Sequence, residues 1–482
     1  MKSMEYAVQS AAIDRLFSLP ESLFRKYEAA DLGIRVMNIS QIFSIISQTV
    51  ANSFITSLIS LVYIFRMFTY SSELSGIAVF MLIITIGAVV LIGIKQVGYE
   101  KDKLMSENKA TTEMYQYISA IEKIRASASE NRVLYNYLCD YTKARKIDLR
   151  KERMTIITAS IVQAAELLYS IVFYYIVYIK NIDISVGYFM GFITAFGALT
   201  TAMLEASQQF LAVNQVIPMY EMAKPILETL PESNEETIIP REITGNIELN
   251  NVTFGYDENE PVIKNITLKL KPGEMVGIVG TSGSGKSTLL RLLLGFEKPQ
   301  VGKIYYDGQD IDELDKRELR KKMGVVLQEG GLIGGNIYEN ITISKPGCSA
   351  ERVQEIIKQV GLEKDISEMP MGLHTAINEQ QDVISGGQAQ RILIARAILG
   401  NPKVIILDEA TSALDNVTQS KVMETIEKIN STRIVIAHRL STVINCDRII
   451  VLDNGKVVEE GNYEELMMKK GFFYRLAIRQ IA

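Results

Sequence analysis

A glycine- and serine-rich loop follows an apolar, strand-like run and precedes a helix-patterned run. The stretch MVGIVGTSGSGKSTLLRLLL, residues 275–294, fits the pattern G-x-x-x-x-G-K-[ST]. In such a loop, glycines let backbone N–H groups close on phosphate oxygens, and the following helix points its positive end at the same anion. Lys286 would then reach the β and γ phosphates, and the Ser287 hydroxyl would hold Mg²⁺. Taken alone, the loop could also be a glycine-rich turn without a ligand. The candidate phosphate-binding residues are Gly280, Thr281, Ser282, Gly283, Ser284, Gly285, Lys286, Ser287 and Thr288.

Two adjacent carboxylates follow a wholly apolar run further along the chain. The run VIILD, residues 404–408, is typical of a parallel strand that is buried on both faces. Asp408 at its end is placed to complete a Mg²⁺ shell, and Glu409 to accept a proton from an attacking water. The two stretches together predict a nucleotide-hydrolysing site.

Four further short motifs accompany these stretches, and the set as a whole resembles the nucleotide-binding domain of ABC transporters, most closely the exporter type. The motifs are Gln328 in VVLQE, Ser385, Gly386, Gly387 and Gln388 in ISGGQ, Asp415 in SALD, and His438 in IAHRLST. The resemblance covers residues 243–482. Ile384 stands where leucine is usual in the family, which is a minor departure.

The resemblance implies a role for each motif. Tyr256 would stack on adenine, and Gln328 would contact Mg²⁺ together with Ser287 and Asp408. His438 would hold the γ-phosphate and the water, beside Glu409 as the base. The segment 385–388 would cap ATP bound to a second subunit, and Asp415 would communicate across that interface. Tyr256 and Gln328 could instead be ordinary packing and surface residues. ATP and Mg²⁺ are therefore the expected substrate and metal, and a single chain would be catalytically incomplete.

Composition places the chain between soluble and membrane proteins. It has 482 residues, of which 48% are hydrophobic and 22% charged. The net charge is −5, and no arginine-rich arm occurs, so we expect no nucleic-acid partner. The three cysteines are far apart and form no C-x-x-C pair, which favours neither a disulfide framework nor a zinc site.

Four apolar segments predict membrane crossings at about residues 39–65, 74–94, 154–179 and 184–204. The segment from Lys95 to Arg153 is long and rich in lysine and arginine, as cytoplasmic loops are. Four crossings return the chain to its starting side, so the N-terminus and the nucleotide-binding domain are both predicted in the cytoplasm, at the cell membrane. The N-terminal stretch is no signal peptide, because Glu5, Asp14 and Arg15 interrupt its apolar residues.

The predicted fold class is an all-α transmembrane exporter bundle followed by an α/β P-loop domain. The predicted domains are 1–230 for the transmembrane part, 231–242 for a polar linker and 243–482 for the nucleotide-binding part. We expect the helical pattern after the fourth crossing to continue to about Glu228. Within the long segment, residues 119–132 resemble the second intracellular loop of exporters, whose short transverse helix docks on a nucleotide-binding domain.

Polar residues inside the crossings are regularly placed. Ser44, Gln48, Asn52, Thr56 and Ser60 are four residues apart and form a row along the first crossing. The row would face either a neighbouring helix or an aqueous, cargo-lining cavity. Glu166 in the third crossing lies either at the wet inner end of its helix or against cargo.

Several stretches, including LPESLFRKYEAADL and VVLQEGGLIGGNIYENI, resemble exporters of ribosomally made peptides with nitrile-hydratase-type leaders, a bacteriocin export group. The chain has no N-terminal cysteine, so leader cleavage would need a separate peptidase. Exporter half-transporters have six membrane helices, and the resemblance begins near the end of the second. A truncated or misannotated product, or a separate polypeptide that supplies two helices, would explain the difference.

The function expected from these features is export of a peptide, or of a lipid or drug, by a dimer with a second half-transporter, identical or different. The alternative is a membrane-tethered ATPase that no longer transports.

Overall fold

The computed structural model describes residues 2–233, 237–257, 259–328, 330–377, 384–437 and 439–481. The chain divides into two compact units, Met1–Pro231 and Glu232–Ala482. The predicted fold class is confirmed, because the first unit is wholly helical in its described part and the second is α/β.

The first unit consists of two short N-terminal helices, four long helices and one short connecting helix. They are α1 (Lys2–Phe17), α2 (Glu21–Lys26), α3 (Ala29–Tyr70), α4 (Ser72–Ser119), α5 (Ile121–Ala126), α6 (Glu130–Lys180) and α7 (Val186–Glu228). Helices α3, α4, α6 and α7 are long and apolar enough to cross a membrane. Each predicted crossing falls on one of them, and the fourth begins at Val186 where Ile184 was expected. The predicted end of the last long helix at Glu228 is confirmed.

Aromatic side chains hold the long helices together at one end. Phe173 of α6 is fully buried and meets Phe192 and Phe196 of α7 edge to face, with ring centroids 5.1 and 5.0 Å apart. Edge-to-face pairs of this kind contribute about 0.5–1.5 kcal/mol beyond the burial of their area. Gly191 makes room for Tyr70, whose ring would lie 2.9 Å from a β-carbon at that glycine. The start of α7 is therefore packed closely against both α6 and the end of α3.

The short helix α1 is tied to the end of α7. Arg15 donates hydrogen bonds to the carbonyl oxygens of Leu227 and Thr229, at 3.3 and 2.7 Å. These carbonyls lie at a helix C-terminus, where backbone acceptors lack intrahelical donors and a positive charge is favourable. A small apolar cluster that includes Leu19 and Ile226 packs beside this contact.

The second unit contains the remaining strands and helices. In chain order they are β1 (Ile247–Phe254), β2 (Ile263–Leu270), β3 (Met275–Gly280), α8 (Lys286–Leu293), β4 (Val301–Tyr306), β5 (Gln309–Asp310), α9 (Lys316–Arg320), β6 (Met323–Val326), β7 (Gly335–Asn336), α10 (Ile337–Thr342), α11 (Ala350–Gln359), α12 (Glu363–Glu368), β8 (Ala376–Ile377), α13 (Gly386–Ile398), β9 (Val404–Asp408), α14 (Asn416–Glu427), β10 (Thr432–Ile436), β11 (Arg448–Asp453), β12 (Lys456–Gly461), α15 (Tyr463–Lys469) and α16 (Phe472–Ile481).

Two sheets organise this unit. An antiparallel sheet has the order β2-β1-β4-β5, and a larger sheet has the order β12-β11-β3-β10-β9-β6. In the larger sheet every neighbouring pair is parallel except β11 with β12. All residues of β9 and β10 are buried, as the apolar run 404–408 predicts for a strand covered on both faces. The strands β3, β10, β9 and β6 therefore end at one common edge.

The segment predicted as a linker is held against the second unit on both sides of residues 234–236. The carboxylate of Glu232 forms a salt bridge with Arg320, and Ser233 donates to Asp315 at 3.0 Å. Further on, Ile238 forms a parallel bridge with Leu314. These described parts of the segment are thus ordered pieces of the second unit.

Candidate nucleotide-binding site

The predicted phosphate loop and the predicted carboxylates meet at the carboxyl edge of the larger sheet. Strand β3 ends at Gly280 and β9 at Asp408, while Gln328 follows the end of β6 by two residues. Because these strands run parallel, their following loops converge at the same edge. A cavity of about 430 Å³ lies there. It is lined by Val262, Ser282, Gly283, Gly285, Lys286, Ser287, Thr288, Gln328, Asp408, Glu409 and Ile436.

The backbone of the loop requires glycine at two positions. Gly285, just before α8, has φ +102°, a conformation that side-chain-bearing residues rarely adopt. At Gly280, a β-carbon would lie 2.3 Å from the carbonyl oxygen of Leu452. The loop therefore turns tightly over the sheet edge before α8 begins.

Lys286 is buried at the start of α8, with only 7% of its surface exposed. Its Nζ donates to the carbonyl oxygens of Gly280 and Thr281, at 3.0 and 2.9 Å. Burial lowers the pKa of Lys286, while the charges of Glu409 and Asp408 act in the opposite direction. The ammonium thus lies in a poorly solvated place with two neutral acceptors, where an anionic phosphate would interact with it strongly.

The residues around the cavity fit a Mg²⁺–nucleotide complex. Ser287, Gln328 and Asp408 offer hydroxyl, amide and carboxylate oxygens, the ligand type that Mg²⁺ prefers. Within the described part of the loop, the buried Oγ of Ser284 has no hydrogen-bond partner. A buried hydroxyl of this kind is expected to gain one when a polar ligand is present.

Glu409 lies directly after Asp408 and has an unusual backbone. Its φ is +50°, and its N–H donates to the carbonyl oxygen of Ile436 at 3.1 Å. A non-glycine residue in this region costs about 1–3 kcal/mol and is often found at functional sites. The turn keeps the partly buried Glu409 in the lining of the cavity, next to Asp408.

Tyr256 lies beside the far end of the phosphate loop. Its hydroxyl is 3.5 Å from Oγ1 of Thr288, and its ring meets Phe254 edge to face at 5.2 Å. Half of the Tyr256 surface is exposed. A partly exposed aromatic ring next to a phosphate loop presents a solvent-accessible surface on which a base could stack.

The segment 385–388 lies away from this cavity within the same unit. Ser385 caps the N-terminus of α13, accepting from the N–H of Gln388 at 3.3 Å, while the Gln388 side chain accepts from the Ser385 N–H at 3.0 Å. The Gln388 amide also donates to Asp365 at 2.8 Å. Among the described residues that line the cavity, none belongs to this segment.

Asp415 caps the next helix, α14. Its carboxylate accepts from the backbone N–H groups of Val417 and Thr418, both at 3.1 Å. Hydrogen bonds from Thr418 lower the pKa of Asp415. His438, the predicted phosphate-sensing histidine, lies outside the described residues.

Sequence reasoning missed two side chains that hold the loop between Glu409 and Asp415. Gln390 of α13 donates to Oγ of Ser412 at 2.9 Å and accepts from the N–H of Ala413 at 2.9 Å. Arg439 donates to the carbonyl oxygen of Ser412 at 3.0 Å. Both follow a predicted motif closely, but nothing in the sequence indicated their partners. Through Gln390, the helix that begins with the segment 385–388 is joined to the loop that begins with Glu409.

The fold and the site define a membrane protein that carries a P-loop ATPase domain. Family models agree with both halves: the model described as ABC transporter matches residues 263–412, and that described as ABC transporter transmembrane region matches residues 1–203. The alpha-hemolysin translocation ATP-binding protein HlyB of Escherichia coli is 34% identical over 470 residues, which are 95% of this chain and 66% of that protein. The leukotoxin translocation ATP-binding protein LktB of Mannheimia glucosida is 34% identical over 472 residues, with the same coverage.

A solved structure of a bacterial Atm1-family ABC exporter with ATP bound has the same fold. The TM-score is 0.88 at 24% sequence identity, over 100% of this chain and 86% of that chain. The chain therefore belongs to the ABC transporter family, as an exporter-type half-transporter with its transmembrane region fused to its ABC-type ATPase domain. It spans 66% of the length of the two curated relatives named here.

Proposed function

We propose that this chain is the ATP-hydrolysing half of an exporter that couples ATP turnover to movement of a secreted polypeptide across the membrane. The observation that carries the proposal is the convergence of Lys286, Ser287, Gln328, Asp408 and Glu409 on one cavity at the sheet edge. These residue types are the ones that bind phosphates, hold Mg²⁺ and accept a proton from water.

In this mechanism the backbone N–H groups of the loop and Lys286 bind the phosphates, and Tyr256 stacks on adenine. Ser287, Gln328 and Asp408 would hold Mg²⁺, which neutralises charge on the phosphate oxygens when it is bound. Glu409 orients the attacking water and accepts its proton. We assign His438 to the γ-phosphate and the water from the family resemblance alone.

The site requires a second subunit. The segment 385–388 lies outside the cavity of its own chain, with a helix N-terminus directly behind Ser385. Such an N-terminus favours an anion, so we propose that it caps the nucleotide of a partner half-transporter, identical or different. Asp415, at the end of the loop that begins with Glu409, would contact the partner at the same interface.

The proposal also covers the side of the membrane on which the ATPase domain lies and the class of cargo. The lysine- and arginine-rich segment 95–153 supports a cytoplasmic position for the N-terminus and the ATPase domain. The names of the relatives describe translocation of an alpha-hemolysin and of a leukotoxin, which supports a secreted polypeptide as cargo. Within that class we propose a bacteriocin-like peptide.

Complementation between two inactive variants tests the shared site. Lys286→Met removes phosphate binding, and Ser385→Arg places a large cation at the segment that caps the partner's nucleotide. Each variant alone should lose hydrolysis. An equal mixture should recover about one quarter of the wild-type sites, because half of the dimers are mixed and each has one intact site. Mixtures that stay inactive although mixed dimers form, or a fully active Ser385→Arg chain, would contradict the shared site.

Glu409→Gln tests the assignment of the base. Hydrolysis should fall at least about a hundredfold, while ATP-dependent dimerisation, followed by size-exclusion chromatography with light scattering, persists. Translocation is measured separately, as ATP-dependent uptake of a leader-bearing peptide into inside-out vesicles. Hydrolysis without uptake would favour the alternative of a tethered ATPase.

A further inference from the structure

Two cavities meet between the membrane helices of the first unit. One of about 660 Å³ lies among α3, α4 and α7 and has almost entirely apolar walls. The other, of about 500 Å³, lies between α3 and α7. Thr56 lines both, so an apolar and a more polar cavity adjoin at this residue.

The polar cavity is lined by amides and hydroxyls, which both donate and accept hydrogen bonds, and by one carboxylate, which only accepts. Its polar residues are Gln48, Thr49, Asn52, Thr56, Glu205, Gln208 and Gln209. Three of the five residues in the polar row of the first crossing, Gln48, Asn52 and Thr56, line this cavity, and Thr56 also contacts the neighbouring helix α7. Neighbouring contacts are few: Thr56 donates to Glu205 at 3.3 Å, and Ser53 donates to Gln209 at 2.6 Å.

Glu205 is the only charged residue among the described residues that line either cavity. It is exposed to the cavity space, and it lies one residue beyond the predicted end of the fourth crossing. A carboxylate at the end of a membrane crossing is stabilised by water or by a compensating positive charge. The space therefore favours a cation over a neutral group or an anion.

We propose that the two cavities bind an amphipathic, cationic segment of the cargo polypeptide. A lysine ammonium or arginine guanidinium pairs with Glu205, and the neighbouring amides bind the peptide backbone, which also needs both donors and acceptors. An adjacent apolar side chain enters the larger cavity beyond Thr56. Each cavity is within the size of common ligand pockets, about 300–1,000 Å³, so each has room for a side chain of an extended segment. This inference rests on the proposed export of a polypeptide and names the chemistry of its recognition.

Binding of two matched peptides to the full chain in detergent tests the proposal. The probes are Leu-Leu-Lys-Leu-Leu-amide with a dye on its N-terminal amine and the same labelled peptide with norleucine in place of lysine, which differ by the side-chain amine. Fluorescence anisotropy should show the lysine peptide binding about tenfold more tightly, the size expected for one charge-assisted hydrogen bond. Glu205→Gln keeps the shape and the acceptor for Thr56, and it should abolish the difference without weakening the norleucine peptide.

Glu166→Gln is the matched control, because Glu166 is a carboxylate of α6 that is absent from the residues lining either cavity. It should retain the tenfold preference. Equal binding of the two peptides by the unaltered chain, or a preference that survives Glu205→Gln, would overturn the proposal. A Glu205→Gln chain that keeps the peptide preference but changes its oligomeric state would also overturn the proposal, because Glu205 would then serve a contact between helices.

ATP hydrolysis by the unaltered chain is measured in the same preparation. A chain that hydrolyses ATP but does not distinguish the peptides refutes the recognition by Glu205 and leaves the proposed ATPase intact. A chain that distinguishes the peptides but does not hydrolyse ATP supports the recognition site and refutes the proposed coupling.

Discussion

Replacing Lys286 by methionine should remove ATP binding while changing the stability of the nucleotide-free domain very little. The variant loses two charge-assisted hydrogen bonds, to the carbonyl oxygens of Gly280 and Thr281, each contributing about 1.5–3 kcal/mol. It also loses the cost of burying an ammonium, which is several kcal/mol. Because burial lowers the pKa of Lys286 despite two nearby carboxylates, the unfavourable contribution is substantial. We expect the loss of these hydrogen bonds and the relief from burying the ammonium to cancel to within about 1 kcal/mol.

ATP-dependent stabilisation should separate the variant from the wild type. At a ligand concentration of 100 times Kd, binding stabilises the folded domain by about 2.7 kcal/mol. With a urea dependence of about 2–3 kcal/mol per molar, the wild-type midpoint should rise by about 1 M. The Lys286→Met midpoint should not move. Pulse proteolysis of the full chain in detergent, with the C-terminal fragment followed by immunoblot, measures both midpoints.

Lys298→Met is a suitable control, because the Lys298 side chain is 74% exposed and its ion pair is with Asp312, 3.2 Å away and outside the residues that line the nucleotide cavity. It should keep the full ATP-dependent shift. The reasoning would be refuted by a Lys286→Met chain that shows the wild-type shift, or that loses more than about 3 kcal/mol without nucleotide.

The pH dependence of the stability has a defined sign: a lowered folded-state pKa of Lys286 means that the unfolded chain binds more protons. Wild-type stability relative to Lys286→Met should therefore rise as the pH increases from the folded-state pKa towards 10.5.

Three further variants probe the surroundings of the site. Tyr256→Trp places a single tryptophan in a chain that has none, so its fluorescence should change on ATP addition; an unchanged signal despite ATP binding would contradict stacking. Gln390→Ala should lower the hydrolysis rate about tenfold with little change in ATP affinity, because the loop that carries Ser412 loses two hydrogen bonds. Gln390→Glu should restore part of the rate, since its carboxylate still accepts from the loop, and an unaltered rate in the alanine variant would exclude the positioning role. Gly280→Ala should destabilise the domain in urea unfolding by up to about 3 kcal/mol, and by more than Gly283→Ala, which costs about 1 kcal/mol through its φ of +77° because a β-carbon there meets nothing within 4 Å. Equal costs for the two glycine variants would contradict the tight packing at Gly280.

Many elements of the fold and of the candidate site could be predicted from local sequence. The phosphate loop, the strand that ends at Asp408 and the four membrane crossings depend on contiguous residues, whose backbone geometry and hydropathy are properties of a short segment. The family resemblance followed from the same short motifs and their order. Those features required no knowledge of which strands are neighbours.

The family resemblance implied which of these segments share a site, but only the tertiary structure brings them together in space. Gln328 reaches the cavity of Lys286 and Asp408 because the parallel order of β3, β10, β9 and β6 brings their ends to one edge, which is a long-range property. The same packing kept Ser385 out of that cavity.

Two features had no signal in the sequence that could have located them. Gln390 and Glu205 are polar residues on helices, and a helical position does not reveal its partners. Their contacts with Ser412 and Thr56 depend on which faces of the helices meet, and side-chain packing between distant segments determines that.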